Sequence, residues 1–67
     1  MDFHGLDLSG REFTMATLAG ADFVGAILRE ANFTAATLTG ADLSKADLTG
    51  ANLSKADLSE ATLRWAD

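Results

Sequence analysis

The chain has 67 residues, no cysteine, and ten acidic against five basic side chains, for a net charge of −5. One domain is the most this length allows, a compact core is marginal at this size, and disulfides and thiolate metal sites are excluded. The charge disfavours binding to a nucleic-acid backbone and leaves basic proteins as partners.

No stretch approaches 18 consecutive apolar residues, so no membrane span is expected. Met1-Asp2-Phe3-His4-Gly5 has neither a basic region nor an apolar run, so a secretory signal is not expected either. A soluble, cytoplasmic protein is the expectation.

From Phe3 to Leu63 every fifth residue is Leu or Phe, and from Ala16 to Ala66 every fifth residue is Ala. A period of five fits neither helix nor straight strand. On a helix the large residues would scatter around the axis; on a strand they would alternate between faces. The chain must bend at a fixed interval so that each large residue points inward. Thirteen complete units of five follow, with consensus Ala-Asp/Asn-Leu/Phe-Ser/Thr-Gly. All six glycines occupy the fifth slot, where a corner tolerates unusual backbone angles. Glu30, Lys45, Lys55 and Glu60 use the same slot, so glycine is favoured there and not obligatory.

The first three units depart from the consensus with Met1, Leu6 and Arg11 in the first slot, as suits a terminal coil that needs a cap. A second period of twenty joins Phe3 to Phe23, Phe13 to Phe33, Thr17 to Thr37 and Asn32 to Asn52. Twenty residues are four units, which predicts a four-sided coil with one unit per side and like residues stacked between turns. Backbone pairing sets a rise of about 4.8 Å per turn, hence just over three coils, roughly 15 Å tall. Phe lies opposite Phe in the first half, Leu fills the other two sides, and from Leu43 onward every large residue is Leu. Small Ala in the other inward slot leaves room for them.

Ala41-Asp42-Leu43-Ser44-Lys45, Ala46-Asp47-Leu48-Thr49-Gly50 and Ala51-Asn52-Leu53-Ser54-Lys55 resemble pentapeptide repeats, and the resemblance covers essentially the whole chain. It implies an all-β fold, a right-handed quadrilateral β-helix, as one domain over residues 1–67. It implies little about activity. One branch of the family imitates DNA in size and charge, binds DNA gyrase and protects it from quinolone drugs. Those proteins are longer and dimerise through a C-terminal helix, and a rod of about 15 Å imitates only four or five base pairs at about 3.4 Å each.

Catalytic constellations are missing. The one histidine, His4, sits in an outward fourth slot, and Ser9, Ser44, Ser54 and Ser59 share that slot, where bonding to the turn is the simpler role. No cofactor, metal or catalytic residue is expected. Asn32-Phe33-Thr34 and Asn52-Leu53-Ser54 are glycosylation sequons that the consensus generates by itself.

Stacking predicts a column of Asp2, Asp22 and Asp42 and an adjacent one holding Asp7, Asp47 and Asp67. Carboxylates about 5 Å apart repel, and their pKa values would rise if nothing else held them. Two readings stand: a strip for a partner's Arg and Lys, or side chains turned back onto the turn backbone. Outward apolar residues are the best functional pointers. Val24 and Ile27 replace polar residues around one corner, and Trp65 takes the corner slot that Gly25 holds two coils below. Val24, Ile27, Trp65, Asp2, Asp22 and Asp42 are therefore the candidate partner surface. The expected function is a non-enzymatic protein-binding or scaffold module with a rigid acidic surface. The alternative is a DNA-imitating protector of gyrase. Exposed coil ends invite cover by a partner or by end-to-end self-association, or mark a small module joined to something larger.

Overall fold

Every unit of five does the same thing. In the computed structural model, which describes residues 1–67, the second slot makes a parallel backbone bridge and the fourth and fifth slots form a turn. Each bridge joins residues twenty apart: Asp2 to Asp22 to Asp42 to Thr62, Asp7 to Ile27 to Asp47, Glu12 to Asn32 to Asn52, and Thr17 to Thr37 to Asp57. These four columns are the four faces, numbered one to four in that order. Like-numbered slots stack directly, as the sequence period predicts.

Three backbone bonds repeat along the chain. The third-slot N–H donates to the second-slot carbonyl of the next coil, as from Phe3 to Asp22 at 2.7 Å. The fifth-slot N–H donates to the fourth-slot carbonyl of the next coil, as from Gly5 to Val24 at 2.9 Å. The second-slot N–H donates back to the first-slot carbonyl of the previous coil, as from Asp22 to Met1 at 2.9 Å.

Within a coil, the first-slot N–H closes each corner on the third-slot carbonyl three residues earlier, as from Leu6 to Phe3 at 3.1 Å. The fifth slot always has positive φ, from 57° at Trp65 to 72° at Gly10, while the fourth never does. That is the φ pattern of a type II turn, which asks for glycine at its third position. Seven corners nevertheless hold a side chain there: Met15, Glu30, Ala35, Lys45, Lys55, Glu60 and Trp65. None is β-branched, the class for which this conformation is a true outlier.

The thirteen buried residues are all apolar: Leu and Phe of the third slot, and Ala of the first. The four phenylalanines form a ladder inside the lower half. Phe3 stacks on Phe23 at 4.8 Å and Phe13 on Phe33 at 4.9 Å, and the two stacks meet edge to face at 5.9–6.1 Å. Pairs of this kind add about 0.5–1.5 kcal/mol each beyond area burial. The molecule measures 22 × 22 × 19 Å, square in section. Its third dimension exceeds the roughly 15 Å given by the spacing of the turns alone.

Candidate interaction surface

With the interior filled by hydrocarbon, the side-chain chemistry lies on the second, fourth and fifth slots, apart from the exposed Arg11 in a first slot. The second slot is the most regular. Its carboxylate or amide oxygen accepts the N–H two residues on: His4 to Asp2 at 3.0 Å, Val24 to Asp22 at 2.9 Å, Ser44 to Asp42 at 3.0 Å and Thr49 to Asp47 at 3.1 Å. Where the fourth slot holds a hydroxyl, it usually donates to the same oxygen. Ser9 reaches Asp7 at 2.8 Å, and Ser44, Thr49 and Ser59 reach Asp42, Asp47 and Asp57 at 2.6 Å.

These bonds stabilise the charged form. They hold Asp7, Asp42 and Asp57 below the ordinary carboxylate value, the hydroxyl contributing most and the N–H next. Asp47 falls to about 2, through Thr49 first and Arg29 second. Stacked carboxylates alone would have driven these values up. Solvent screens their mutual repulsion, and the turn donors win.

The carboxylates are not spread evenly. Face one carries Asp2, Asp22 and Asp42; face two carries Asp7, Glu30, Asp47 and Asp67. Faces three and four carry mostly hydroxyls and amides, with Glu12, Asp57 and Glu60 the only acids. Arg29 lies across face two and donates from Nε to Asp47 Oδ2 at 2.6 Å. This pair escapes a reading of columns alone, because its partners are eighteen residues apart and not twenty. The signal was present: a fourth slot lies diagonally beneath the second slot of the next coil. Arg29 also borders a shallow hollow of about 510 Å³ with Ser9, Gly10, Glu30, Thr49 and Gly50.

The apolar candidates fall around the corner between faces one and two. Val24 is half-buried and Ile27 is 39% exposed, bridged below to Asp7 and above to Asp47. Gly25 between them leaves the corner open, with no heavy atom within 4 Å of where a Cβ would stand. Trp65, 75% exposed, shares this edge two coils higher, with Lys45 in the same slot between them. Val24 and Ile27 thus form one apolar notch, and Trp65 stands apart from it. Met15, at 74% exposure, occupies a corner of face three.

The remaining chemistry is sparse. His4 Nδ1 lies 3.8 Å from Asp22 Oδ2, at the long limit of an ion pair between exposed groups. The hydroxyls of Ser9, Ser44 and Ser59 are bonded to carboxylates of their own units and not to an imidazole. No three His, Cys, Asp or Glu side chains converge as metal ligands. No helix is long and apolar enough to cross a membrane.

Comparison with known proteins agrees with this geometry. No curated protein sequence matches the chain. The family model described as pentapeptide repeats matches in eight copies, over residues 2–34 and 26–64. Among solved structures, a pentapeptide repeat protein of the Arabidopsis thaliana thylakoid lumen is 52% identical with a TM-score of 0.94, covering 96% of this chain and 44% of its own. HetL, a pentapeptide repeat protein from the cyanobacterium Nostoc involved in heterocyst differentiation regulation, is 31% identical with a TM-score of 0.81, covering 97% of this chain and 33% of its own. A third, from the cyanobacterium Cyanothece, is 28% identical with a TM-score of 0.75, over 98% of this chain and 52% of its own. The chain therefore spans about a third to a half of the proteins it resembles. It belongs to the pentapeptide repeat family, whose members form right-handed quadrilateral β-helices.

Proposed function

We propose that this chain is a non-enzymatic protein-interaction module whose working surface is the corner between faces one and two. Proteins of this family are generally structural or interaction modules. The observation that carries the reading is the Val24–Ile27 notch, an apolar spot set among Asp7, Asp22, Asp42 and Asp47. A partner segment with one apolar side chain flanked by Lys or Arg matches it in both respects. The apolar contact supplies affinity and the ring of charge supplies orientation and on-rate.

Rigidity favours this role. The four carboxylates are already held by their turn donors, so little side-chain freedom is lost on binding. The role of HetL in regulation is one that a binding module can fill. Acids concentrated on two adjacent faces, with Glu12, Asp57 and Glu60 scattered over the others, lend no support to the gyrase-protecting alternative, which needs acids displayed as two strands of phosphate display them.

Affinity capture from native lysate with the unmodified chain and with Ile27→Asp tests the reading. Proteins retained by the first at low salt should be lost from the second, and Trp65→Ala should retain them. An identical set on both columns would overturn the assignment of the notch.

A further inference from the structure

Gly25 stands between the two apolar side chains of the notch, and its carbonyl is the one main-chain oxygen from Asp22 to Ile27 that accepts no hydrogen bond. The carbonyls of Asp22, Phe23, Val24, Ala26 and Ile27 take the N–H groups of Phe3, Ala26, Gly5, Asp47 and Leu8 in turn. The N–H groups here are all spent. Val24 donates to Asp22 Oδ1 at 2.9 Å, and Gly25, Ala26, Ile27 and Leu28 donate to the carbonyls of Ser44, Phe23, Leu6 and Asp47 at 2.8–2.9 Å. This stretch is bridged to a coil below through Asp2 and Asp7 and to a coil above through Asp42 and Asp47, so its bonding and exposure are those of an interior coil.

We propose that the notch receives a lysine side chain of the partner, its methylene stem lying on Val24 and Ile27 and its ammonium donating to the Gly25 carbonyl and the Asp22 carboxylate. This selection rests on the corner being the working surface, as proposed above. One lysine then supplies both the apolar contact and the charge, as a side chain with an apolar stem and a polar tip can.

The main chain of the notch offers an acceptor and no donor, so a partner strand cannot pair along it and an anion finds no N–H to bind. A lysine ammonium is the reverse, three donors and no acceptor. Gly25 leaves its corner open, with no heavy atom within 4 Å of the place a Cβ would occupy. The other corners of the interior coil carry the same unused carbonyl, at Glu30, Ala35 and Gly40, but each lies between polar side chains: Arg29 and Asn32, Thr34 and Thr37, Thr39 and Asp42. Only at Gly25 are both neighbours apolar. Charge favours a cation, since Asp7, Asp22, Asp42 and Asp47 outnumber Arg29 and Lys45 around the notch. Asp22 Oδ1 is turned to the Val24 N–H, and Oδ2 has only His4 Nδ1 near it, at 3.8 Å. The carboxylate therefore lacks the free pair of coplanar oxygens that a guanidinium fork matches, whereas a tetrahedral ammonium divides its donors between carboxylate and carbonyl.

Small cations test this on the unmodified chain. n-Butylammonium copies the lysine side chain, n-propylguanidinium copies the arginine side chain, and n-butyltrimethylammonium keeps stem and charge but has no N–H to donate. Titrated at low salt and followed by amide NMR, n-butylammonium should give saturable shifts centred on Val24, Gly25 and Ile27. n-Propylguanidinium should bind there several-fold more weakly, and n-butyltrimethylammonium about tenfold more weakly, through loss of its charge-assisted hydrogen bonds. Ile27→Ala should weaken n-butylammonium several-fold by removing half of the surface under its stem. Equal affinities of the three cations, shifts spread evenly over all four faces, or no loss on Ile27→Ala would each overturn the lysine assignment and leave the capture experiment above untouched. Capture unchanged by Ile27→Asp, together with selective binding of n-butylammonium, would keep the lysine selectivity and overturn the corner as the working surface.

Discussion

The lower and upper coils follow one rule yet bury their interiors unequally. Leu8 and Leu18 are only 6% and 4% exposed although no coil lies beneath them, whereas Leu48, Leu53 and Leu58 are half-buried and Leu63 is 43% exposed. The backbone ladder is the same at both ends, so hydrogen bonding does not explain the difference. Side-chain volume does. The lower half holds four benzyl rings and large first-slot residues; the rings meet across the section, and Phe3 and Phe13 pack against the core that includes Leu8 and Leu18. The upper half holds Leu over Ala, which seals an interior layer but not a terminal one. In a solenoid, stability is a sum over neighbouring coils, so this difference is local and can be probed coil by coil.

The largest expected effect is loss of a ring. Phe23 is fully buried, stacks on Phe3 and meets Phe13 and Phe33 edge to face. Phe23→Ala should cost about 3–5 kcal/mol, against a total stability of about 3–10 kcal/mol for a chain this short. In urea it should shift the midpoint to the edge of detection or unfold the protein. Leu58→Ala in the half-buried upper layer should cost about 1–2 kcal/mol by the same measurement. Equal costs at the two sites would break the comparison, since they would mean that the rings do no more than a leucine.

The placing of the rings was legible without coordinates, whereas the unequal burial of the leucines was not. The period of five fixed the bend, the period of twenty fixed the columns, and the positions of Phe3, Phe13, Phe23 and Phe33 placed the rings on opposite faces in one half. The expectation that glycine is optional at corners also agrees with the backbone: Ala35 and Trp65 adopt the same φ as Gly25 to within about 11°. What stayed hidden was electrostatic. Columns of aspartates suggested raised pKa values, and only the donor geometry of the fourth-slot hydroxyls shows the opposite direction. The diagonal Arg29–Asp47 pair went unread for a different reason: its partners are eighteen residues apart, and columns of like slots join only residues twenty apart.

A smaller effect concerns the corners. Ala35 and Lys55 hold φ of 59° and 61°, a conformation costing a non-glycine residue roughly 1–2 kcal/mol. Glycine removes that cost but loses about 0.5–1 kcal/mol in chain entropy. Ala35→Gly should therefore stabilise by about 0.5–1 kcal/mol in urea unfolding. Lys55→Gly makes the same exchange in the upper coil, whose inward side is less well sealed. If that coil frays, part of its corner strain is already relieved before global unfolding, and the gain at Lys55 should be the lesser of the two. A larger gain at Lys55 would show that the upper coil is as firmly held as the middle one.

The smallest effect asks whether the difference between coils reaches the surface, and the turns say that it does not. Asp7 in the first coil and Asp57 in the third share their leading donors, the hydroxyl and the N–H of the serine two residues on, and Asp57 gains a smaller one from the Thr39 side chain. Both should titrate below the usual value of 3.8 in carboxyl-carbon NMR. Asp47 adds Arg29 and should titrate lowest, at about 2. A carboxylate whose pKa is depressed in the folded state contributes stability above its unfolded value and loses that contribution as pH falls through the folded one. Thermal stability should therefore be flat above about pH 5 and decline as pH drops from about 4 toward 2, with Asp47 the last of these groups to protonate. Thr49→Val removes the leading cause of the shift while leaving Arg29 in place, and should move Asp47 upward without disturbing Asp7 or Asp57. If Asp57 titrates at the ordinary value while Asp7 is lowered, the upper turns are loosened along with the upper core, and surface and interior weaken together.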